Sequence, residues 1–599
     1  MKASHGAPAR ARRKEGDLSL EGPYDDCEDR PAQAAPDPEM HKFLALMEML
    51  QDEFEKTLLL QIPQRELRMV IDLVRSHLAG RMVTISSLIA SSGLSHGTAV
   101  RTIENLHRRA LIIKRCKTRT GKSFSLHPSE TLLLRWYEFA RRVRVQITLP
   151  QAQVASSPRF KVPQRRLPLP KILQPPSVLE SRLSIAGALR MLVHTDPTFM
   201  AMHLLRKQLE IVLGARLETR ALSIERLRHE IIDNSARRIS KYDLVAVDLP
   251  WFGEMGLHGR LLPLDELMSQ SLLERDDFYP EALASSHYKG RLYGVPILTT
   301  AEFFVYRSDI LEACGCAPPK TTNDLLSVAR RVHSKTSGIS GVAWSGGRGT
   351  PMAHTFLMVM SAFGRPIVNL RPLVGGFDAE NVQGEAARPL FTSPEAHQAA
   401  EFLLELKDHS TPNVLKMGWY ERAQAYAQGA CAMAYSNTML APLFSIERNS
   451  PAFWNTKYLP YPHGPDGRPI APLGGYALSI PANIAPERVP AAWQALRTLT
   501  SANVAKLYLS NGSLMSPRLS VSGDPEVQAL SPVIAAVGEM GRAHCWQMWP
   551  RPPIPEISDL MAIAGEEIHD LVSGVKTPKH ALAAAQDRAE ALMRSKGYY

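Results

Sequence analysis

From about residue 182 to the end of this 599-residue chain, short apolar runs alternate with stretches of amphipathic helical period. Few folds satisfy that alternation. Strands buried on both faces read as continuous apolar runs, and parallel neighbours need helical crossovers. The pattern therefore predicts an α/β architecture built on an open sheet. The run YDLVAVD shows the unit: a buried strand ending on Asp248, followed at once by Pro250, Trp251 and Phe252. A second run, LRMLVHTDP, ends on His194, Thr195 and Asp196. In open α/β sheets, ligands sit outside the carboxyl ends of the strands, so both ends are expected to line one crevice.

The first 181 residues read differently. Residues 1–37 are rich in charge, Pro, Ala and Gly and predict a disordered tail. Residues 38–148 predict helices with one hairpin. Residues 149–181 include LPQAQVASSPRFKVPQRRLPLPKILQPPS, a Pro-rich basic stretch expected to act as a semi-rigid linker. Charge follows the same division. The net charge is +11, yet residues 61–180 hold 21 Lys and Arg against 6 Asp and Glu. A basic balance confined to one segment is the electrostatic footprint of nucleic-acid binding.

Within that segment, RELRMVIDLVRSHLAG places Leu67, Val70, Ile71, Val74 and Leu78 on one helical face, with Gly80 as a stop. Thr84 is positioned to cap a short helix, GLS at 93–95 supplies a tight turn, and Ser95 is positioned to cap the next helix. The outer face of that helix offers Ser95, His96, Thr98, Arg101, Thr102, Asn105, Arg108 and Arg109. Short hydroxyl and amide groups suit base edges, and arginines suit phosphates or guanine. Two alternating runs then flank KTRTGK, predicting a hairpin whose cationic tip carries Lys117, Arg119 and Lys122. Over about 80 residues this order resembles the winged helix-turn-helix of bacterial transcription regulators, in the type that dimerises through flanking helices. Two flanking helices are expected. One carries Phe43, Leu44, Met47 and Leu50; the other carries Leu132, Leu133, Trp136, Phe139, Ala140 and Val143. Their stripes suit packing within the chain or a homodimer interface, which would set two recognition helices about one DNA turn apart.

The larger region carries a second resemblance. YDLVAVDLPWFGEMGLHGRLLPLDEL, YKGRLYGVP, YRSDIL, PPKT, FTSPEAHQAAEFLLEL, RAQAYAQGACAMAYSNTMLAPLF and APLGGYALSIP follow one another in the order seen in extracellular solute-binding proteins of bacterial ABC importers, of the sugar-binding type. The likeness spans roughly 400 residues. It implies a two-lobed, type II periplasmic-binding-protein-like α/β domain over 182–599, with crossover strands, a ligand in the cleft and hinge closure. Sugars present apolar C–H faces and many hydroxyls, so they need aromatic platforms beside planar hydrogen-bonding groups. The residues at site-like positions are Asp196, Asp248, Trp251, Thr300, Glu302, Trp344, Arg348, Trp419, Asn437, Gly475 and Tyr476. The family positions of Asp248, Trp251 and the Gly474–Tyr476 stretch are the clearest.

Several chemistries find no motif. The Gly-rich SGGRGT lacks the P-loop spacing, and there is no H-E-x-x-H, paired Cys/His set or G-x-S-x-G. No cofactor, metal or catalytic constellation is expected. No secretory signal is recognisable in the first thirty residues, and the six cysteines are sparse, which together predict a cytoplasmic location. A solute receptor joined to a DNA reader predicts a ligand-responsive transcription regulator, with double-stranded DNA and a carbohydrate as partners. Lobe closure would act through the linker. The alternative is the solute-binding component of an ABC sugar importer, which would need an apolar export segment upstream of about residue 182.

Overall fold

The computed structural model describes residues 38–117, 123–154, 172–270 and 273–599. The expected tail at 1–37, most of the expected linker, and Arg119 and Lys122 lie outside the described residues. Helix α1 (Pro38–Leu58) begins in a unit that ends at Glu53. On it, Met40, Phe43, Leu44 and Met47 are exposed.

From Phe54 onward the chain forms one unit. Its first part packs helix α2 (Pro63–Leu78), strand β1 (Val83–Thr84), helix α3 (Ile85–Ser92), helix α4 (His96–Arg108), and strands β2 (Ile112–Cys116) and β3 (Phe124–Pro128). The strands form an antiparallel sheet in the order β1-β3-β2. Helix α3 starts where Thr84 caps it: the Thr84 hydroxyl accepts the Ser87 amide while Ser87 Oγ accepts the Thr84 amide. It stops at Gly93, whose φ of 72° is open to glycine at little cost. Met69, Val70, Leu73, Val74, Leu88, Ile103 and Leu106 form the core. Of the face expected on α2, Val70 and Val74 are buried, Leu67 and Ile71 are half-buried and Leu78 is exposed; the buried stripe is turned toward Met69 and Leu73. Helix α5 (Glu130–Val154) follows and buries Leu132 and Leu133.

The rest is a two-lobed α/β structure on a nine-stranded sheet. The first lobe holds strands β4 (Ala188–His194), β5 (Arg216–Leu222) and β6 (Leu244–Asp248), parallel to one another, with helices α6 (Pro197–Leu204), α7 (Arg206–Leu213) and α8 (Ile224–Ser235). The chain enters the second lobe along the 13-residue strand Val295–Arg307. Its first half pairs with Ala471–Ser479, and its second half pairs with Cys431–Asn437 and Thr456–Leu459. One strand thus serves both lobes. Each lobe has its own apolar core: Leu189, Val245, Leu496 and Tyr508 mark the first, and Phe356, Leu403, Leu560 and Ala585 the second.

The described end of the expected linker is not a free spacer. Pro175, Pro176 and Val178 are buried, and the Leu179 amide donates to Val212 O at the end of α7. Pro175 and Pro176, expected in a stiff tether, are instead packed where the N-terminal module meets the first lobe, with Pro176 O 2.8 Å from His77 Nε2.

Candidate solute-binding cleft

Strand ends and crossovers bring the site together. Strand β4 ends on His194, and Asp196 then caps α6, its Oδ1 accepting the amides of Thr198 (2.7 Å) and Phe199 (3.1 Å). Its other oxygen, Oδ2, is buried, makes no hydrogen bond among the described residues, and lies 3.5 Å from His194 Nδ1, which is likewise buried and unbonded among them. Native structures leave few buried polar atoms unsatisfied, which sets this pair apart. The His194 ring stacks on Tyr476, with centroids 4.9 Å apart and planes 19° from parallel. Tyr476 in turn sits opposite Asp248 in the ladder between Ala471–Ser479 and β6.

Asp248 is buried at the carboxyl end of β6, where α/β sheets hold ligands. Burial pushes its carboxyl pKa up, against the pull of Arg551, whose Nη1 lies 3.6 Å from Asp248 Oδ2. Arg551 reaches this position past Gly474: a Cβ there would stand 3.0 Å from Arg551 Nη2 and 2.9 Å from Thr300 Oγ1. The next glycine is also required. Gly475 has a φ of 130°, and a Cβ on it would approach Leu298 O to 2.4 Å.

On the second-lobe side, Glu302 is the hub. Its carboxylate accepts hydrogen bonds from Asn437 Nδ2 (3.1 Å), Tyr461 Oη (2.9 Å) and Arg422 Nη2 (3.5 Å). His354 Nε2 stands 3.9 Å away. Burial lowers the His354 pKa to about 4, only partly opposed by Glu302, while Arg551 and Arg422 push it further down. The half-buried ring of Trp419 meets His354 edge-on at 5.7 Å. Arg422 is 1% exposed, and its Nε has no partner among the described residues. Polar groups thus form a path beside the crossover strands: His194 with Asp196 and Asp248 with Arg551 on the first-lobe side, then His354, which feels both Arg551 and Glu302, and Glu302 on the second-lobe side.

The structure gathers Asp196, Asp248, Thr300, Glu302, Trp419, Asn437, Gly475 and Tyr476 along this path. Three expected residues stand elsewhere. Trp251 packs in the first core. Trp344 is fully buried in the second core, with its indole N–H donated to Ser410 Oγ at 2.8 Å. Arg348 is exposed and pairs with Asp570 at 2.6 Å. His194 was expected at a strand end lining the crevice but not among the solute-binding residues; His354, Arg422, Tyr461 and Arg551 were not expected in the site. A cation at position 422, among the small residues of RAQAYAQG, is the one local signal among them; Arg551 in WPRPPIP carries none. An open hollow of about 670 Å³ lies apart, lined by residues including His333, Asn413, Gln424 and Gln428, none of them on the polar path.

The expected DNA face also divides. Ser95, His96 and Arg108 are exposed on α4, and Arg101 is exposed with its Nε donated to Gly97 O. Ser95 does not cap the helix backbone; its hydroxyl donates to Thr98 Oγ1. Thr102 is buried and bonds to Thr98 O, so it turns inward. Asn105 donates to Gln61 and Glu66, and Arg109 donates to both oxygens of the buried Glu66 and to Leu59 O. The need to satisfy Glu66 draws these two side chains into the module. Lys117 is half-buried at the start of the hairpin tip.

Among the described residues no helix is long and apolar enough to cross a membrane, and no His/Cys/Asp/Glu group is arranged to hold a metal ion. Residues 225–506 match the family of bacterial extracellular solute-binding proteins. A probable ABC transporter-binding protein of Deinococcus radiodurans is 24% identical over 248 residues, 41% of this chain and 55% of that relative, so the chain spans about half the length of the curated relative it matches. Among solved structures, an ABC transporter solute-binding protein from Agrobacterium radiobacter K84 in complex with ribitol has a TM-score of 0.61 at 24% identity. Maltose-bound MalE3 of T. maritima has a TM-score of 0.58 at 21% identity. A solute-binding protein from Agrobacterium vitis S4 with bound D-mannitol has a TM-score of 0.57 at 21% identity. The three alignments cover 69%, 68% and 69% of this chain and 100% of each relative. The two-lobed fold seen here is therefore the fold of these solute-binding proteins.

Proposed function

We propose that the chain is a receptor for a small, hydroxyl-rich solute held between its two lobes. The observation that carries this reading is the buried pair of unsatisfied atoms, Asp196 Oδ2 and His194 Nδ1, beside the Tyr476 ring and on a polar path joining both lobes. A carboxylate with a free lone pair accepts from hydroxyls, and Arg551 and Asn437 donate to them. The aromatic faces of Tyr476 and Trp419 suit C–H surfaces. The ribitol, D-mannitol and maltose held by similar folds support a polyol or sugar as the class.

Two settings fit such a receptor. The family match and the Deinococcus relative favour the solute-binding component of an ABC importer. The N-terminal module, with its helix–turn–helix and strand pair, favours a cytoplasmic, dimeric transcription regulator that binds duplex DNA through His96, Arg101 and Arg108. The comparisons weigh toward the first; the second stands on the module alone. Titrating the purified full chain with ribitol, D-mannitol and maltose by calorimetry tests the receptor. Saturable binding that Asp196→Asn weakens supports it; no heat from any of the three argues against this solute class. A gel shift with DNA from upstream of its own gene separates the two settings.

A further inference from the structure

The N-terminal module is fastened to the first lobe at one helix end. The last carbonyls of any α-helix lack partners within the helix and carry partial negative charge. Two of those of α7 are met by a buried guanidinium from strand β2: Arg115 donates to Ile211 O at 2.5 Å and Val212 O at 3.1 Å, and also to Leu179 O of the preceding segment at 3.5 Å. Arg182 spans the same junction, donating to Gly214 O at 2.7 Å and to Lys117 O. His77 Nε2 lies 2.8 Å from Pro176 O. Helix α7 follows α6 after the single residue Leu205. The bonds Leu205 N to Ala201 O and Leu209 N to Leu205 O carry the helical ladder across the joint. The far end of α6 is the Asp196 cap.

The geometry points to a mechanical relay in which the state of Asp196 in the cleft is passed along α6 and α7 to Arg115 and so to the β2–β3 hairpin of the module. Asp196 has two tasks: Oδ1 holds the first turn of α6, and Oδ2 faces the unbonded His194 nitrogen. A guest that draws on Oδ2 tilts the carboxylate that seats the helix. The helix pair, one joint long, transfers the movement to carbonyls gripped by a planar fork, which tolerates little misalignment. Arg115 is a positioning residue; it touches no solute. The relay rests on the proposed function only in taking Asp196 as part of the solute site, and its mechanical part stands without that.

Hydrogen exchange on the full chain, with no solute present, tests it. Asp196→Ala is expected to speed exchange in α6 and also, by about fivefold or more, at the β2–β3 amides, a factor in the range of ordinary site-to-site coupling. In an Arg115→Lys background, which keeps the charge but loses the fork, Asp196→Ala should still speed α6 and leave β2–β3 unchanged. Thr198→Val, which removes the Thr198–Ser513 hydroxyl contact seating α6 (2.8 Å), replaces Asp196→Ala if that variant does not fold. The relay is overturned if α6 loosens while β2–β3 does not respond. It is equally overturned if β2–β3 responds as strongly with Arg115→Lys, since the effect would then be global. Because no solute enters the experiment, failure of the receptor reading would leave its outcome untouched.

Discussion

The imidazole of His194 lies flat against the phenol of Tyr476, while its Nδ1 stands 3.5 Å from a carboxylate oxygen of Asp196 that has no hydrogen-bond partner among the described residues. Stacking fixes the ring without satisfying its nitrogen. Asp196→Asn keeps an acceptor for the α6 cap and replaces the carboxylate oxygen that faces His194 Nδ1. It is expected to raise the Kd for a bound polyol about 10–100-fold, a loss of one or two charge-assisted hydrogen bonds, with little change in melting temperature. Calorimetric titration beside a thermal melt checks both parts.

Gly475→Ala tests the crossover. The added Cβ would stand 2.4 Å from Leu298 O at a φ of 130°. Backbone strain alone is expected to cost about 1–3 kcal/mol, and the clash adds to it. A denaturant melt of the full chain should show lowered stability. An unchanged midpoint would mean that the strands Val295–Arg307 and Ala471–Ser479 do not cross as closely as described.

Trp344→Phe and Arg348→Ala separate core from cleft. The first opens space around Ser410 and leaves its hydroxyl without the indole donor, at an expected cost of about 1–3 kcal/mol. The second removes an exposed ion pair of the kind that contributes roughly 0–1 kcal/mol. Neither is expected to change solute affinity by more than about twofold, which the same titration measures.

Acid should destabilise the fold through buried histidines. Burial lowers the His354 pKa to about 4 and the His127 pKa to about 3. Below about pH 6.5 the unfolded chain binds protons at these positions that the folded chain refuses. The stability they confer is therefore present above pH 6.5 and is lost as pH falls toward 4. For His354 the loss is on the order of 3 kcal/mol. Chemical denaturation at pH 7.5, 6 and 5 should show it, and His127→Gln should flatten the slope.

On α4, Asn105→Ala is expected to loosen the module by about 1–3 kcal/mol, because it withdraws a donor from the buried Glu66. Arg101→Ala and Arg108→Ala should leave stability within about 0.5 kcal/mol. If the module reads DNA, these two weaken it and Asn105→Ala does not alter sequence preference, as a gel shift at fixed salt would record.

Local pattern carried much of the fold. Strand β6 was legible because LVAV is apolar on both faces, and α3 because Thr84 and Gly93 mark its two ends. The site was legible where residues sit at strand ends, as Asp196 and Asp248 do. It was not legible where burial decides. Trp344 looks like a platform before a glycine loop, and only packing shows its indole inside the core. Asn105 and Arg109 hold positions that suit a DNA-facing side, but Glu66, about 40 residues earlier in the chain, claims both. Arg551 reaches Asp248 from 303 residues away, a distance no spacing rule spans.

The strand Val295–Arg307 belongs to two lobes at once, and the first lobe is completed only by Ala471–Ser479, which returns after the bulk of the second. No single cut through the backbone therefore frees either half as an intact piece. Truncation series will produce ragged fragments lacking a central rung, and attempts to express one half alone call for two stretches of chain stitched together by a new loop.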